Sequence, residues 1–232
     1  MNNKVLGKFI VFEGIDGSGK STQSKLLLNN LKKAGFKTAF IHFPQYGTKA
    51  GGLVEEYLSG KYGKASDVSP YQASIFYSCD RFDASFKIRK WLQEGKMIVC
   101  DRYIGSNVGH QGGKMKDKSE WRKYLDWLFE IEYYLLNIPK PNITIIFKSI
   151  PEKSQSLAGD EQKIKKRKHL GEGSKDIHER DLSHLVGAER SYMDWAKEFP
   201  EKKCVIGCYK NGELLLPEVI HEKVWKEVLK IL

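Results

Sequence analysis

The strongest chemical signal in the chain is one unbroken stretch, Gly14-Ile15-Asp16-Gly17-Ser18-Gly19-Lys20-Ser21-Thr22, which fits G-x4-G-K-[ST]. Glycines at this spacing let the backbone curl, so that successive N–H groups converge on phosphate oxygens. Lys20 then reaches the β- and γ-oxygens of a nucleoside triphosphate, and the Ser21 hydroxyl ligates Mg²⁺. A helix starting behind the loop adds the positive end of its dipole. The second signal is Cys100-Asp101-Arg102-Tyr103. An aspartate there orients Mg²⁺ and its waters, and an arginine clamps a phosphate. On those residues alone a strand-end ion pair reads equally well.

Both motifs need a strand to deliver them. Phe9–Glu13 reads as that strand for the first, Lys20 onward as a helix to about Ala34 closed by Gly35, and Thr38–His42 as the next strand. This strand–loop–helix–strand unit opens a parallel α/β sheet. Further strands are expected at Met97–Cys100, which carries Asp101 at its carboxyl end where open α/β sheets bind ligands, at Ile143–Phe147 and at Cys204–Cys208. Helices are expected near Pro70–Glu94, Ser119–Leu136, Asp181–Lys197 and Pro217–Leu232. Ser69, Pro70 and Gln72 make a capping box for the first of these. Its stripe Ile75, Cys79, Phe82 and Phe86 is expected to face the core. Tyr77 and Arg81, about 40° apart at 100° per residue, then project together from the opposite face. Ser154–Lys175 is polar and lysine-rich, and reads as a mobile flap.

At 232 residues the chain suits one core with a small lid, here taken as a single domain over 1–232 with the lid at about 154–175. Its 41% apolar and 29% charged residues are ordinary for a soluble globular protein. No apolar run reaches membrane-spanning length, and the N-terminal stretch does not read as a secretory signal. Cys79, Cys100, Cys204 and Cys208 lack zinc-site spacing, so reduced thiols and a cytoplasmic location are expected. The net charge of +10 suits anionic partners: nucleic acid, an acidic membrane or phosphorylated small molecules. Much of it lies in Lys163-Ile164-Lys165-Lys166-Arg167-Lys168. That run has no interleaved aromatics, which argues against a nucleic-acid groove.

Taken together, the residues resemble the thymidylate kinases. The resemblance rests on Phe12–Thr22, Phe43-Pro44-Gln45-Tyr46-Gly47, Tyr77-Ser78-Cys79-Asp80-Arg81-Phe82, Asp101-Arg102-Tyr103-Ile104-Gly105-Ser106-Asn107, His110-Gln111-Gly112-Gly113 and Asp176-Ile177-His178-Glu179. It implies a nucleoside monophosphate kinase fold, with a parallel five-stranded sheet flanked by helices and a lid. It also implies transfer of the ATP γ-phosphate to dTMP with Mg²⁺, no membrane or nucleic-acid partner, and a homodimer. By the same resemblance Tyr77 stacks on thymine, Arg81 bonds to the base, and Asn107 and Gln111 face it, with Phe43 also in the dTMP site. Tyr103 crowds the sugar 2′ position. Arg102 and Tyr46 hold the acceptor phosphate. Asp16 accepts the 3′-OH and helps order the magnesium shell, with Asp101 a second such carboxylate.

The chain departs from the common family pattern at several places. Gln45 stands where many members have an arginine, and Lys148-Ser149-Ile150-Pro151 replaces an aspartate-led turn. Gly17 stands where some members place an arginine in the phosphate loop. Phosphoryl transfer spreads charge over the equatorial oxygens, so a cation missing from the loop is expected in the lid. Arg167 is the candidate. The alternatives are a kinase of another deoxynucleoside monophosphate, a nucleotide-gated nucleic-acid binder, and a catalytically dead homologue.

Overall fold

The computed structural model describes residues 6–64, 66–164 and 182–232, the side chains of 158–164 excepted. In chain order the elements are β1 (Lys8–Glu13), α1 (Lys20–Lys33), β2 (Thr38–His42), α2 (Gly52–Leu58), α3 (Pro70–Gln93), β3 (Met97–Asp101), α4 (Ile104–His110) and α5 (Lys118–Phe129). A π-helical stretch (Glu130–Leu135) extends α5. Then come β4 (Ile143–Lys148), α6 (Pro151–Ile164), α7 (Leu182–Glu198), β5 (Lys203–Gly207), a short hairpin of β6 (Tyr209–Lys210) and β7 (Glu213–Leu214), and α8 (Pro217–Leu229).

The five expected strands form one parallel sheet in the order β2-β3-β1-β4-β5. Its central strand is apolar on both faces because helices cover both. Phe9 and Val11 of β1, with Ile98 and Cys100 of β3, pack toward Ile88, Tyr124, Leu185 and Tyr192 on α3, α5 and α7. Ile10 and Phe12, with Met97 and Val99, pack toward Leu27, Leu31, Val224 and Val228 on α1 and α8. Alternate residues serve alternate layers, the period of two that a strand imposes.

The capping box at α3 forms: Ser69 Oγ accepts from the Gln72 N–H at 3.2 Å, and Gln72 Oε1 accepts from the Ser69 N–H at 2.9 Å. The face that α3 buries is the reverse of the expectation. Ile75, Phe82 and Phe86 are 39, 39 and 62% exposed, and Cys79 is exposed. The buried face carries Ser74, Ser78, Arg81, Ser85 and Ile88. The inward polar groups of this helix find buried partners: Ser74 Oγ on Tyr124 Oη at 2.7 Å, and Ser78 Oγ on the Glu132 carboxylate at 2.6 Å. Hydrophobic periodicity marks the burying face only where the neighbour is apolar.

Three helices were not anticipated: α2, α4 and α6. The glycines of α4 argue against a helix by propensity. They are there for close approach, since a Cβ on Gly109 would lie 2.3 Å from the Tyr192 ring of α7. Because of α6, the first part of the expected flap, to Ile164, is helical. Residues 165–181, including Arg167 and the stretch Asp176–Glu179, lie outside the described residues.

Candidate active site

The phosphate loop leaves the end of β1 and enters α1 with Gly14, Gly17 and Gly19 at φ of 139°, 76° and 88°. Only glycine adopts that succession cheaply. Lys20 is buried, and its Nζ donates to the Gly14 and Ile15 carbonyls at 2.8 and 2.7 Å and to Ser18 Oγ at 3.3 Å. Burial, with the Arg102 cation adding to it, pulls the amine down to about 8, against the pull of Asp16, Asp101 and Glu13. The lysine therefore rests on the loop's own carbonyls, and must release them to reach a phosphate.

Across the loop, Ser21 Oγ donates to Asp101 Oδ2 at 2.9 Å. Asp101 Oδ1 is buried and has no hydrogen-bond partner among the described residues. A hydroxyl and a half-satisfied carboxylate are the hard oxygen donors that suit Mg²⁺. Gly17 explains itself by contact: a Cβ there would lie 2.1 Å from the Ser154 carbonyl of α6. The helix that leads into the basic run sits directly on the loop, so no arginine can occupy position 17 in this arrangement.

Beside the loop opens a cleft with both polar and aromatic walls. Asp16, Phe43, Tyr46, Tyr77, Arg81, Arg102, Tyr103, Asn107 and Gln111 all line it, joined by Pro44, Leu58, Ser106 and His110. Arg81 is held inside the fold rather than projecting from it. Its guanidinium pairs with the buried Glu132 carboxylate, with Nε 3.0 Å from both oxygens and Nη2 on Oε1. Nη2 also donates to Asn107 Oδ1 at 2.8 Å. Arginine is donor-only, so this bond fixes the Asn107 amide, leaving Nδ2 as a donor with no partner among the described residues. Gln111 Oε1, also buried, is likewise left as an acceptor. Tyr103 is fully buried, edge-on to Phe9 at 5.0 Å, with its hydroxyl donating to the Pro139 carbonyl.

Arg102 sits at φ 70°, a left-handed backbone that a non-glycine residue holds only under compulsion. Its Nη2 pairs with Asp16 Oδ1 at 2.6 Å, and its Nη1 lies 3.3 Å from Ser106 Oγ and 3.1 Å from His110 Nε2. Glu13 locks the turn that sets this pose. It accepts from the Tyr103 N–H at 2.7 Å, Ser106 Oγ at 2.8 Å and Tyr192 Oη at 3.1 Å. Burial raises its pKa, opposed by those hydrogen bonds and by Arg102. Gln45 is engaged with Asp80, through its backbone N–H at 2.9 Å and its Nε2 at 3.0 Å. Its side chain is a brace for the cleft wall.

Glu13 and Glu132 are the residues that sequence reasoning passed over, and each left a signal. Glu13 is an acid at the end of an apolar strand. Glu132 falls on the stripe Trp121, Leu125, Leu128, spaced four and three, whose next position should be apolar. A carboxylate in either place must have a buried partner.

The strand order, a phosphate loop behind the central strand and an aspartate ending its neighbour define a P-loop kinase of the nucleoside monophosphate kinase fold. A solved thymidylate kinase from Candida albicans superposes with a TM-score of 0.69, covering 97% of this chain and 92% of its own at 23% identity. The family model for thymidylate kinase matches residues 12–217. A probable thymidylate kinase from Methanosarcina barkeri is 31% identical over 97% of this chain and 98% of its own length. A Plasmodium falciparum thymidylate kinase is 29% identical over 83% and 88%. The chain belongs to the thymidylate kinase family.

Proposed function

We propose that the chain transfers the γ-phosphate of ATP to dTMP, giving dTDP and ADP, by direct in-line attack of the acceptor phosphate. The observation that carries this reading is the fixed Asn107 amide beside Gln111. A donor next to an acceptor complements the 4-keto group and N3–H of thymine, whereas cytosine presents the reverse pair. Tyr77 supplies a stacking face and Tyr103 closes the space a 2′-hydroxyl would need. Arg102 and Tyr46 take the acceptor phosphate, with Asp16 exchanging its contact with Arg102 for the sugar hydroxyl.

On the donor side the loop amides and Lys20 hold the ATP phosphates. Ser21 and Asp101 would hold Mg²⁺, with Asp16 acting through its water shell, and the ion's contribution is neutralisation of the β- and γ-oxygens. The cation that the crowded Gly17 cannot supply is assigned to Arg167, in the segment that follows α6. The exposed Ile75, Phe82 and Phe86 on α3 are assigned to a homodimer interface, where burial would account for their apolar character. Four free cysteines suit a reducing cytoplasm, and no helix among the described residues is long and apolar enough to cross a membrane.

The test is ADP release with ATP–Mg²⁺ and a panel of acceptors: dTMP, dUMP, dCMP, dGMP, ribothymidine monophosphate and thymidine. Preference for dTMP is expected. Turnover of dCMP or dGMP in its place would discard the base-pocket assignments, and light scattering that finds only monomer would discard the dimer.

A further inference from the structure

His110 and His184 are used by nothing in the mechanism above. His110 ends α4 and lines the cleft. Its Nε2 is 3.1 Å from Arg102 Nη1, and its Nδ1 is 3.1 Å from Nε2 of His184 on α7. The ring centroids are 5.3 Å apart with planes tilted by 23°. That spacing, with the nitrogens 3.1 Å apart, places the rings edge to edge along the hydrogen bond rather than face to face.

The chemistry of the partners fixes every proton. Arg102 is donor-only, so His110 Nε2 must be an acceptor and the His110 proton must sit on Nδ1. That Nδ1–H donates to His184 Nε2, so the His184 proton must sit on its own Nδ1. We propose that His110 is a positioning residue, which with His184 forms a two-ring hydrogen-bonded relay holding Arg102 aimed at the acceptor phosphate. This rests on the reading of Arg102 as the acceptor-phosphate clamp. The relay runs from α7, the helix that follows the basic segment, to the clamp itself.

The arrangement has no place for a further proton. Protonated on Nε2, His110 would turn an N–H toward the N–H of Arg102. Protonated on Nε2, His184 would oppose the Nδ1–H of His110. Besides His184, the groups facing His110 are Arg102 after β3, Asp16 in the phosphate loop, Lys20 on α1 and Tyr192 on α7, whose ring stands edge-on to His110 at 6.2 Å. Glu13 of β1 sits behind Tyr192 and Ser106. Burial, then Arg102 and His184, hold the His110 pKa well below its ordinary value, with only Asp16 acting the other way among the larger influences. Acid therefore loosens the clamp, in addition to protonating the acceptor phosphate.

Two measurements test this. The first is ¹⁵N-resolved NMR of the histidine rings through pH 5–8, assigned with His110→Gln and His184→Gln. It should show both rings as Nδ1–H tautomers at pH 7.5, the less common form, with His110 still neutral at pH 6. An Nε2–H tautomer, or titration of His110 near 6.5, would overturn the relay whether or not dTMP is the acceptor.

The second is KM and kcat for dTMP against pH. His110→Phe should raise the dTMP KM by about tenfold, the lower end for losing a hydrogen bond to a charged group, with kcat and the ATP KM little changed. His110→Gln, whose amide oxygen can accept from Arg102, should restore KM at pH 7.5 and abolish the extra rise of KM in acid. Parallel pH profiles for the unaltered chain and the Gln variant would refute the proposal. Failure of the unaltered chain to phosphorylate dTMP would instead refute the reading of the cleft, and is visible before any variant is compared.

Discussion

Replacing Glu132 by alanine strips the charge partner from an arginine that is 1% exposed, in a position where the carboxylate itself is 0% exposed. Arg81 cannot shed its proton, and its remaining acceptors are the Asn107 amide oxygen and, at 3.4 Å, the Tyr103 carbonyl. Breaking one partner out of a buried ion pair costs about 3–5 kcal/mol. For a chain of this length each kcal/mol lowers Tm by about 2–4 °C, so a fall of about 6–20 °C is expected. Removing both charges with Arg81→Met and Glu132→Leu leaves no orphaned ion, and should recover most of that loss.

The double variant nevertheless removes the donor that orients Asn107, so its dTMP KM should rise by at least about tenfold. The assay is thermal unfolding of the unaltered chain, the Glu132→Ala variant and the double variant, paired with dTMP kinetics on whichever remain folded at 25 °C. A Glu132→Ala variant within about 2 °C of the unaltered chain would refute the energetic reasoning. A double variant that binds dTMP normally would refute the link from Arg81 to the base.

Other outcomes follow from single contacts. Glu189 is pushed up to about 7 from an ordinary 4.5, first by burial, while its bond to the Ser149 N–H pulls the other way. Its folded-state pKa lies above its unfolded one, so stability is lost as pH rises from about 4.5 to 7, by about 3 kcal/mol in all. Glu189→Gln should therefore raise Tm at pH 8 but not at pH 4.5, and an equal effect at both would sink this account. Gly17→Ala meets both a positive φ and the Ser154 carbonyl. It should cost about 1–3 kcal/mol and cut kcat by displacing α6; unchanged kcat would argue against coupling between loop and lid helix. Tyr103→Leu should lower the preference for dTMP over its 2′-hydroxyl counterpart by about tenfold in kcat/KM, read from competing substrates, and an unchanged ratio would remove Tyr103 from sugar selection. Arg167→Ala should lower kcat far more than it raises the dTMP KM; unchanged kcat would assign the lid cation elsewhere.

The residues by themselves determined the parts of this protein that local physics controls. A glycine-lysine-serine spacing dictates a phosphate loop wherever a strand feeds it. The unbroken apolar runs of β1 and β3 demand layers on both faces of a parallel sheet, and the capping box at Ser69 starts α3 where it does. That the expected acceptor residues share one cleft was implied by the resemblance to the thymidylate kinases rather than by local physics.

Tertiary structure alone decided the rest. The apolar stripe of α3 points outward because the opposite face carries the polar groups that pair with Tyr124, Glu132 and Asn107 inside the fold. Glycines that oppose a helix in isolation make α4, because α7 approaches too closely for side chains. Glu132 faces Arg81, Glu13 locks the Arg102 turn, and His110 meets His184, across separations of 51, 90 and 74 residues in the chain. No local pattern records such pairings. A buried charge or a ring tautomer is settled only by what the fold places against it.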